Sequence, residues 1–172
     1  MLPLPAGPHA DAPAAPHTGP SSGATEEWSR VWFNLSGRVW RSLALVPAAP
    51  DDTSALPLAE RFAECARAYQ SDAVRVVDGR DAEPAEVAAL TAALTEQSAG
   101  HERVLLVLAS PVERAAAIPL ARAAEAALLV VPLGVAAVRD ARQAVAAVGH
   151  AHFLGSVTMR EGTTRARTTR KR

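Results

Sequence analysis

Lysine is nearly missing from this chain of 172 residues: Lys171 is the only one among 18 basic residues, and the rest are arginines. Chemistry that needs a lysine within a folded domain is therefore excluded. Cysteine is as scarce. The single Cys65 rules out a disulfide framework and any multi-cysteine zinc site. Net charge is absent too, with 18 basic residues against 18 acidic ones. That balance excludes a globally basic nucleic-acid binder and a strongly acidic solvating chain. No apolar run approaches the ~20 residues that cross a bilayer. Residues 1–20 lack the basic start and long apolar stretch of a secretory signal. A soluble cytoplasmic protein is the default expectation.

The charge balance hides an asymmetry. From Arg160 onward six basic residues face one acid, Glu161, so the tail carries +5 and the remainder −5. The first 24 residues are rich in Pro, Ala, Gly and Ser, with Pro3, Pro5, Pro8, Pro13, Pro16 and Pro20 among them. Such a segment buries too little apolar surface to offset its ordering entropy. Residues 1–24 thus read as a disordered leader, in which His9 and His17 are solvated. Residues 25–160 read as one domain, and residues 161–172 as a disordered basic tail.

Within the domain, Thr25 is placed to cap a helix over residues 25–36, where Glu26 and Glu27 suit the positive end. Trp28, Val31, Trp32 and Leu35 recur at helical spacing, and Gly37 stops the run. Two tryptophans give this short helix a large apolar surface. It packs on the domain's own sheet, or it docks a partner or a second copy. Beyond it, apolar runs alternate with helical patterns. The runs are Ser42-Leu43-Ala44-Leu45-Val46, Val74-Arg75-Val76-Val77, Val104-Leu105-Leu106-Val107-Leu108, Leu128-Leu129-Val130-Val131 and Phe153-Leu154-Gly155-Ser156-Val157. Helices are expected over residues 56–69, 84–97, 112–127 and 138–148. Pro119 should kink or split the third of these, and Gly149 should stop the last. The alternation predicts βαβ units with right-handed crossovers: an α/β three-layer sandwich on a mostly parallel sheet of five or more strands.

Ligands of such sheets bind beyond the carboxyl ends of the strands. After the first run comes Pro47-Ala48-Ala49-Pro50-Asp51-Asp52-Thr53-Ser54. A phosphate-binding loop needs glycines, so that backbone N–H groups approach the phosphates, and a lysine that reaches the outer ones. This loop has neither, and its two aspartates repel a triphosphate. The second run ends in Asp78-Gly79-Arg80-Asp81, the third in Ala109-Ser110-Pro111 and the fourth in Pro132-Leu133-Gly134.

The layout resembles the P-loop ATPase domain of the bacterial tyrosine kinases of capsule and exopolysaccharide export, which are similar to MinD- and ParA-type ATPases. The resemblance spans roughly residues 26–159. Glu27-Trp28-Ser29-Arg30 matches the first half of the family's E-x-x-R-x-x-R interface motif, with Phe33 at the second arginine. Val76-Val77-Asp78-Gly79-Arg80 is similar to the end of its second strand. Leu108-Ala109-Ser110-Pro111 stands where the family has D-T-P-P. Residues 118–131 follow its D-A-x-x-L-A-x-x-A-D-G-V-L-L-V-V stretch, and residues 153–158 resemble its last strand. The departures are as informative: the loop glycines and lysine, the third-strand aspartate and a tyrosine cluster are missing. Tyr69 is the only tyrosine, in a predicted helix. What the resemblance implies is therefore a degenerate P-loop NTPase-like fold with no catalytic residues and no metal: a pseudo-ATPase or pseudokinase that regulates or scaffolds polysaccharide export. Its implied partner is a membrane-embedded chain-length regulator, with self-association as a further role. Glu27, Trp28, Arg30 and Trp32 would form the interface. Replacing both tryptophans is expected to weaken association and leave the core folded.

Two other readings stay open. One is a diverged tyrosine kinase or ATPase that holds Mg-ATP or Mg-ADP through Asp51, Asp52, Thr53, Ser54 and Asp78, with arginines in place of lysine. The other is a division or partition positioning adaptor. Asp78 is either a remnant magnesium ligand or the cap of a turn with Gly79. Cys65 falls on the apolar side of its helix and reads as an inert buried thiol. His150 and His152 alternate across a strand entry, so they should not share a metal. Ser110 lacks the Gly-x-Ser-x-Gly setting of a hydrolase. Glu60, Glu64 and Arg67 read as a solvated helix face. Arg165, Arg167, Arg170, Lys171 and Arg172 suit an anionic membrane surface, nucleic acid or an acidic partner, or add only solubility; the first of these would make a cytoplasmic protein peripheral at the inner membrane. The absence of aromatics among them weighs against nucleic acid.

Overall fold

A computed structural model describes residues 22–50, 54–69, 73–97 and 102–160. The elements in chain order are α1 (Ser22–Ser36), β1 (Ser42–Pro47), α2 (Ala55–Ala68), β2 (Val74–Asp78), α3 (Pro84–Gln97), β3 (Arg103–Val107), α4 (Ala117–Ala123), β4 (Ala126–Leu133), α5 (Val138–Val148) and β5 (Phe153–Arg160). A 3-10 turn over His150–His152 leads into β5. The five strands form one all-parallel sheet in the order β2-β3-β1-β4-β5. The expected α/β sandwich, consistent with a P-loop NTPase-like architecture, is the fold of the chain.

Alternation along each strand divides the core into two layers. Leu43, Leu45, Leu105, Val107, Leu128 and Val130 face α1 and α2, meeting Trp32, Leu35, Leu58 and Phe62. Ala44, Val46, Leu106 and Ala127 face the opposite side, meeting Leu94 of α3 and Leu120 of α4. Ala144 of α5 joins Ala48 and Leu129 on that side. β1 is buried along its whole length because it is central and covered on both faces. The order also fixes the helix placement. The chain leaves β1 toward β2 and then returns through β3, β4 and β5. A single crossover hand therefore puts α2 on one face and α3, α4 and α5 on the other.

The structure departs from the sequence expectation in four local places. The first helix begins at Ser22, ahead of Thr25. The expected helix over 112–127 is only α4. Ser110 caps a turn in its stead, its carbonyl accepting from the Glu113 and Arg114 N–H groups at 3.0 and 2.8 Å. Pro119 then falls in the first turn of α4, where its missing N–H leaves no bond broken. β4 starts at Ala126 and runs through Pro132 to Leu133. Its last partner in β1 is Pro47, opposite Val130, so Pro132 lies beyond the end of β1 and interrupts no ladder there. Lastly, the two histidines stand on a 3-10 turn, where His152 Nε2 lies 2.9 Å from the Ala121 carbonyl.

Candidate functional site

Strand order locates the crevice. Connections leave β1 and β3 in opposite directions, so the switch point lies between the carboxyl ends of these two strands. Three loops surround it, following β1, β2 and β3.

Among its described residues, the start of the β1 loop is short of free backbone N–H donors. Pro47 and Pro50 have no N–H. The Ala48 N–H is engaged by the Val130 carbonyl at 2.8 Å, and Ala48 and Ala49 are buried. Asp51, Asp52 and Thr53 lie outside the described residues. Ser54 precedes α2, and its carbonyl accepts from the Leu58 N–H at 3.2 Å. From β3, Leu108 is buried and its N–H donates to the Leu45 carbonyl at 3.2 Å. Ser110 is buried as well, and its Oγ accepts from the Val112 N–H at 3.3 Å. That hydroxyl belongs to a turn.

Asp78 ends the edge strand β2, one strand removed from β1. Its carboxylate is gripped by one guanidinium. Arg80 Nε donates to Oδ1 at 2.9 Å and the Arg80 terminal nitrogen donates to Oδ2 at 2.7 Å. The Arg80 backbone N–H adds a third bond at 3.2 Å. The side-chain bonds from Arg80 hold the Asp78 carboxyl below its ordinary range and outweigh the opposing effect of burial. The same contact raises the Arg80 guanidinium. Gly79 then passes close to β3, donating to the Val107 carbonyl at 2.8 Å. A Cβ at Gly79 would meet Leu106 and Leu108 side chains at 3.3 and 3.4 Å. Of the two sequence readings, the turn cap describes Asp78 as it stands. Arg80, not singled out for a role in the sequence, is what occupies it. Arg114 reaches across from the β3 loop to Asp81 at 3.4 Å. Among the described residues, no three His, Cys, Asp or Glu side chains gather to hold a metal ion.

The expected interface residues divide. Glu27 and Arg30 are exposed on α1, and Arg30 pairs with Glu26 at 2.6 Å. Trp28 is half-buried, edge-on to Phe62 with ring centroids 6.4 Å apart. Trp32 is only 1 % exposed and packs against Trp40 and Phe62 at 6.2 and 6.0 Å. Packing on the domain's own sheet thus describes Trp32: it is core, and replacing it is not neutral to folding. Glu27, Trp28 and Arg30 line a groove of about 550 Å³ between α1 and the edge strand β5, with Leu154, Gly155 and Thr158 opposite. Phe33, at the position of the second motif arginine, packs at a tilt against Tyr69 with centroids 4.7 Å apart. The Tyr69 hydroxyl lies 3.2 Å from Ser29 Oγ. Tyr69 therefore ties α1 to the end of α2, a structural role, although it is the C-cap one residue past the helix and not, as expected, within it.

Cys65 is buried, as expected of an inert thiol. Glu60, Glu64 and Arg67 are exposed, and Glu64 pairs with Arg61 at 2.9 Å. His9, His17 and the basic tail from Arg165 to Arg172 lie outside the described residues. No described helix is long and apolar enough to cross a membrane. No model of a known protein family matches the chain, and no curated protein matches it.

Proposed function

We propose that the protein is a non-catalytic regulator or scaffold: a P-loop-like domain whose ligand crevice has been given up and whose α1 side engages a protein partner. The observation that carries this reading is the donor-poor stretch from Pro47 to Pro50. Two prolines and an engaged Ala48 N–H stand where a nucleotide site presents free backbone N–H groups and a lysine. The capture of Asp78 by Arg80 supports it, because a magnesium ligand needs an available carboxylate.

Through the resemblance to the bacterial tyrosine kinases, we place this role in polysaccharide synthesis and export, beside a membrane-embedded regulator. The Glu27, Trp28 and Arg30 groove is the partner or self-association face in this proposal. The tail from Arg165 to Arg172 adds attraction to the inner-membrane surface. The test is calorimetric titration of Mg-ATP and Mg-ADP into the purified chain, paired with sedimentation of Trp28→Ala. The reading expects no magnesium-dependent nucleotide binding and a loss of association in Trp28→Ala with the fold retained. Stoichiometric Mg-ATP binding in the crevice overturns it.

A further inference from the structure

We propose that the loop between β4 and α5 is a docking tip that enters the headgroup region of an anionic lipid bilayer. The inference rests on the placement at a membrane surface proposed above, and it names the element that inserts. The β4–β5 ribbon projects beyond the rest of the sheet. The last pair of β1 with β4 is Pro47 with Val130, whereas β4 goes on pairing with β5 as far as Leu133 with Arg160. Three residues of extended chain, Val131 to Leu133, thus stand out by about 10 Å. At their end runs Leu133-Gly134-Val135-Ala136-Ala137-Val138, six positions without a polar side chain. The turn is tight and held. The Pro132 carbonyl accepts from the Val135 and Ala136 N–H groups at 3.4 and 3.1 Å. Gly134, with φ 86°, supplies the left-handed backbone.

Apolar side chains gather on this tip. Leu133, Val135 and Val138 are 45, 57 and 69 % exposed. Among the described residues they make up half of the six large hydrophobic side chains that are exposed. Val138 also lines an apolar concavity of about 490 Å³, with Ala141 and Val145 of α5 and Leu129 and Val131 of β4. The apolar surface therefore runs from the tip onto the side of α5. Exposed apolar residues scattered singly carry no message, but a contiguous patch of them marks an interaction surface.

Charge selects the occupant. Arg139 and Arg142 follow in the first turn of α5, and Arg160 is the β5 partner of Leu133; all three are exposed. Across residues 131–142 and 153–160 the one acid is Asp140, and it pairs with Arg139 at 3.5 Å. An apolar tip flanked by arginines is the arrangement of an interfacial anchor. Its Leu and Val side chains enter the boundary of the acyl region, while the guanidinium groups stay level with the lipid phosphates. The sequence runs on from Arg160 into the basic tail. Attraction of that tail to anionic lipid therefore draws this end of the sheet to the surface.

The test is co-sedimentation of the full chain with vesicles of phosphatidylcholine containing about 30 % phosphatidylglycerol. The proposal expects binding to these vesicles and about tenfold weaker binding to phosphatidylcholine alone. Val135→Ser together with Val138→Ser should weaken binding about tenfold at an unchanged Tm. If the pair lowers Tm, Val135→Ser alone should still weaken binding several-fold. Insertion has its own readout. Cys65 is buried, so Val135→Cys takes a nitrobenzoxadiazole label at the tip of the native chain. Its emission should rise and shift to the blue on the anionic vesicles. A further variant changes Arg165, Arg167, Arg170, Lys171 and Arg172 to Gln. Loss of binding in that variant, with wild-type binding in Val135→Ser/Val138→Ser and a silent label, keeps the membrane placement and overturns the docking tip. No binding of the wild type to anionic vesicles overturns both. Self-association without vesicles that Val135→Ser abolishes in sedimentation assigns the patch to a second copy and overturns the proposal.

Discussion

Asp78 and Arg80 illustrate how a two-residue spacing decides a side chain's fate. With Gly79 between them pressed against β3, the guanidinium folds back onto the carboxylate in a two-pronged grip. A carboxyl held below its ordinary value stabilises the fold above that value, and this contribution is lost as pH falls through the lowered one. Asp78→Asn should therefore lower Tm at neutral pH. The gap from wild type should begin to narrow near pH 4, where the unfolded carboxyl takes up its proton, and close as pH falls through the lowered native value. A gap that is constant across a Tm series from neutral to acid pH would contradict the ion pair. Tryptophan positions give a second contrast. Trp32→Ala should cost about 3–5 kcal/mol in urea unfolding, the range for emptying a packed aromatic site. Trp28→Ala should cost clearly less, since that ring is half-buried on the groove. Equal losses would mean that Trp28 is core as well.

Among the elements, the junction between α5 and β5 is held by one glycine. Gly149 has φ 110° and ψ 121°, and its N–H donates to the Val145 carbonyl at 2.8 Å. Residues with a Cβ rarely adopt this backbone, although a Cβ here would meet nothing nearby. Gly149→Ala should therefore destabilise by about 1–3 kcal/mol through the backbone alone, measured by urea unfolding. An unchanged midpoint would contradict this. Helices α3 and α5 are legible to the residue, because Pro84 opens one and Gly149 closes the other. The helix over 112–127 is not. Its apolar residues keep a helical spacing, yet the Ser110 turn takes up the backbone that would have begun it. Local spacing carries no record of such competition. The neighbourhood of Arg41 and Arg103 at the amino end of the sheet is hidden for a different reason. Arg41 and Arg103 are 62 positions apart, and only the strand register makes them neighbours.

At the scale of the whole molecule, the sheet and its layers follow from hydrophobic runs that are buried on both faces. That pattern is plain in the order of the residues. The switch-point crevice is legible in part: the missing glycines and lysine are evident in the sequence, but the engagement of the Ala48 N–H and of the Asp78 carboxylate is not. The molecule therefore keeps the frame of a parallel sheet with a switch point, while the Ala48 N–H and the Asp78 carboxylate at its carboxyl end are engaged by the chain itself. A second concavity, the α1–β5 groove, lies at the edge of the sheet. The most direct test of this account is a calorimetric titration of Mg-ATP into the full chain. No saturable heat is expected at high-micromolar protein. Stoichiometric, magnesium-dependent binding would contradict the account and would place a working nucleotide site in the loop after β1.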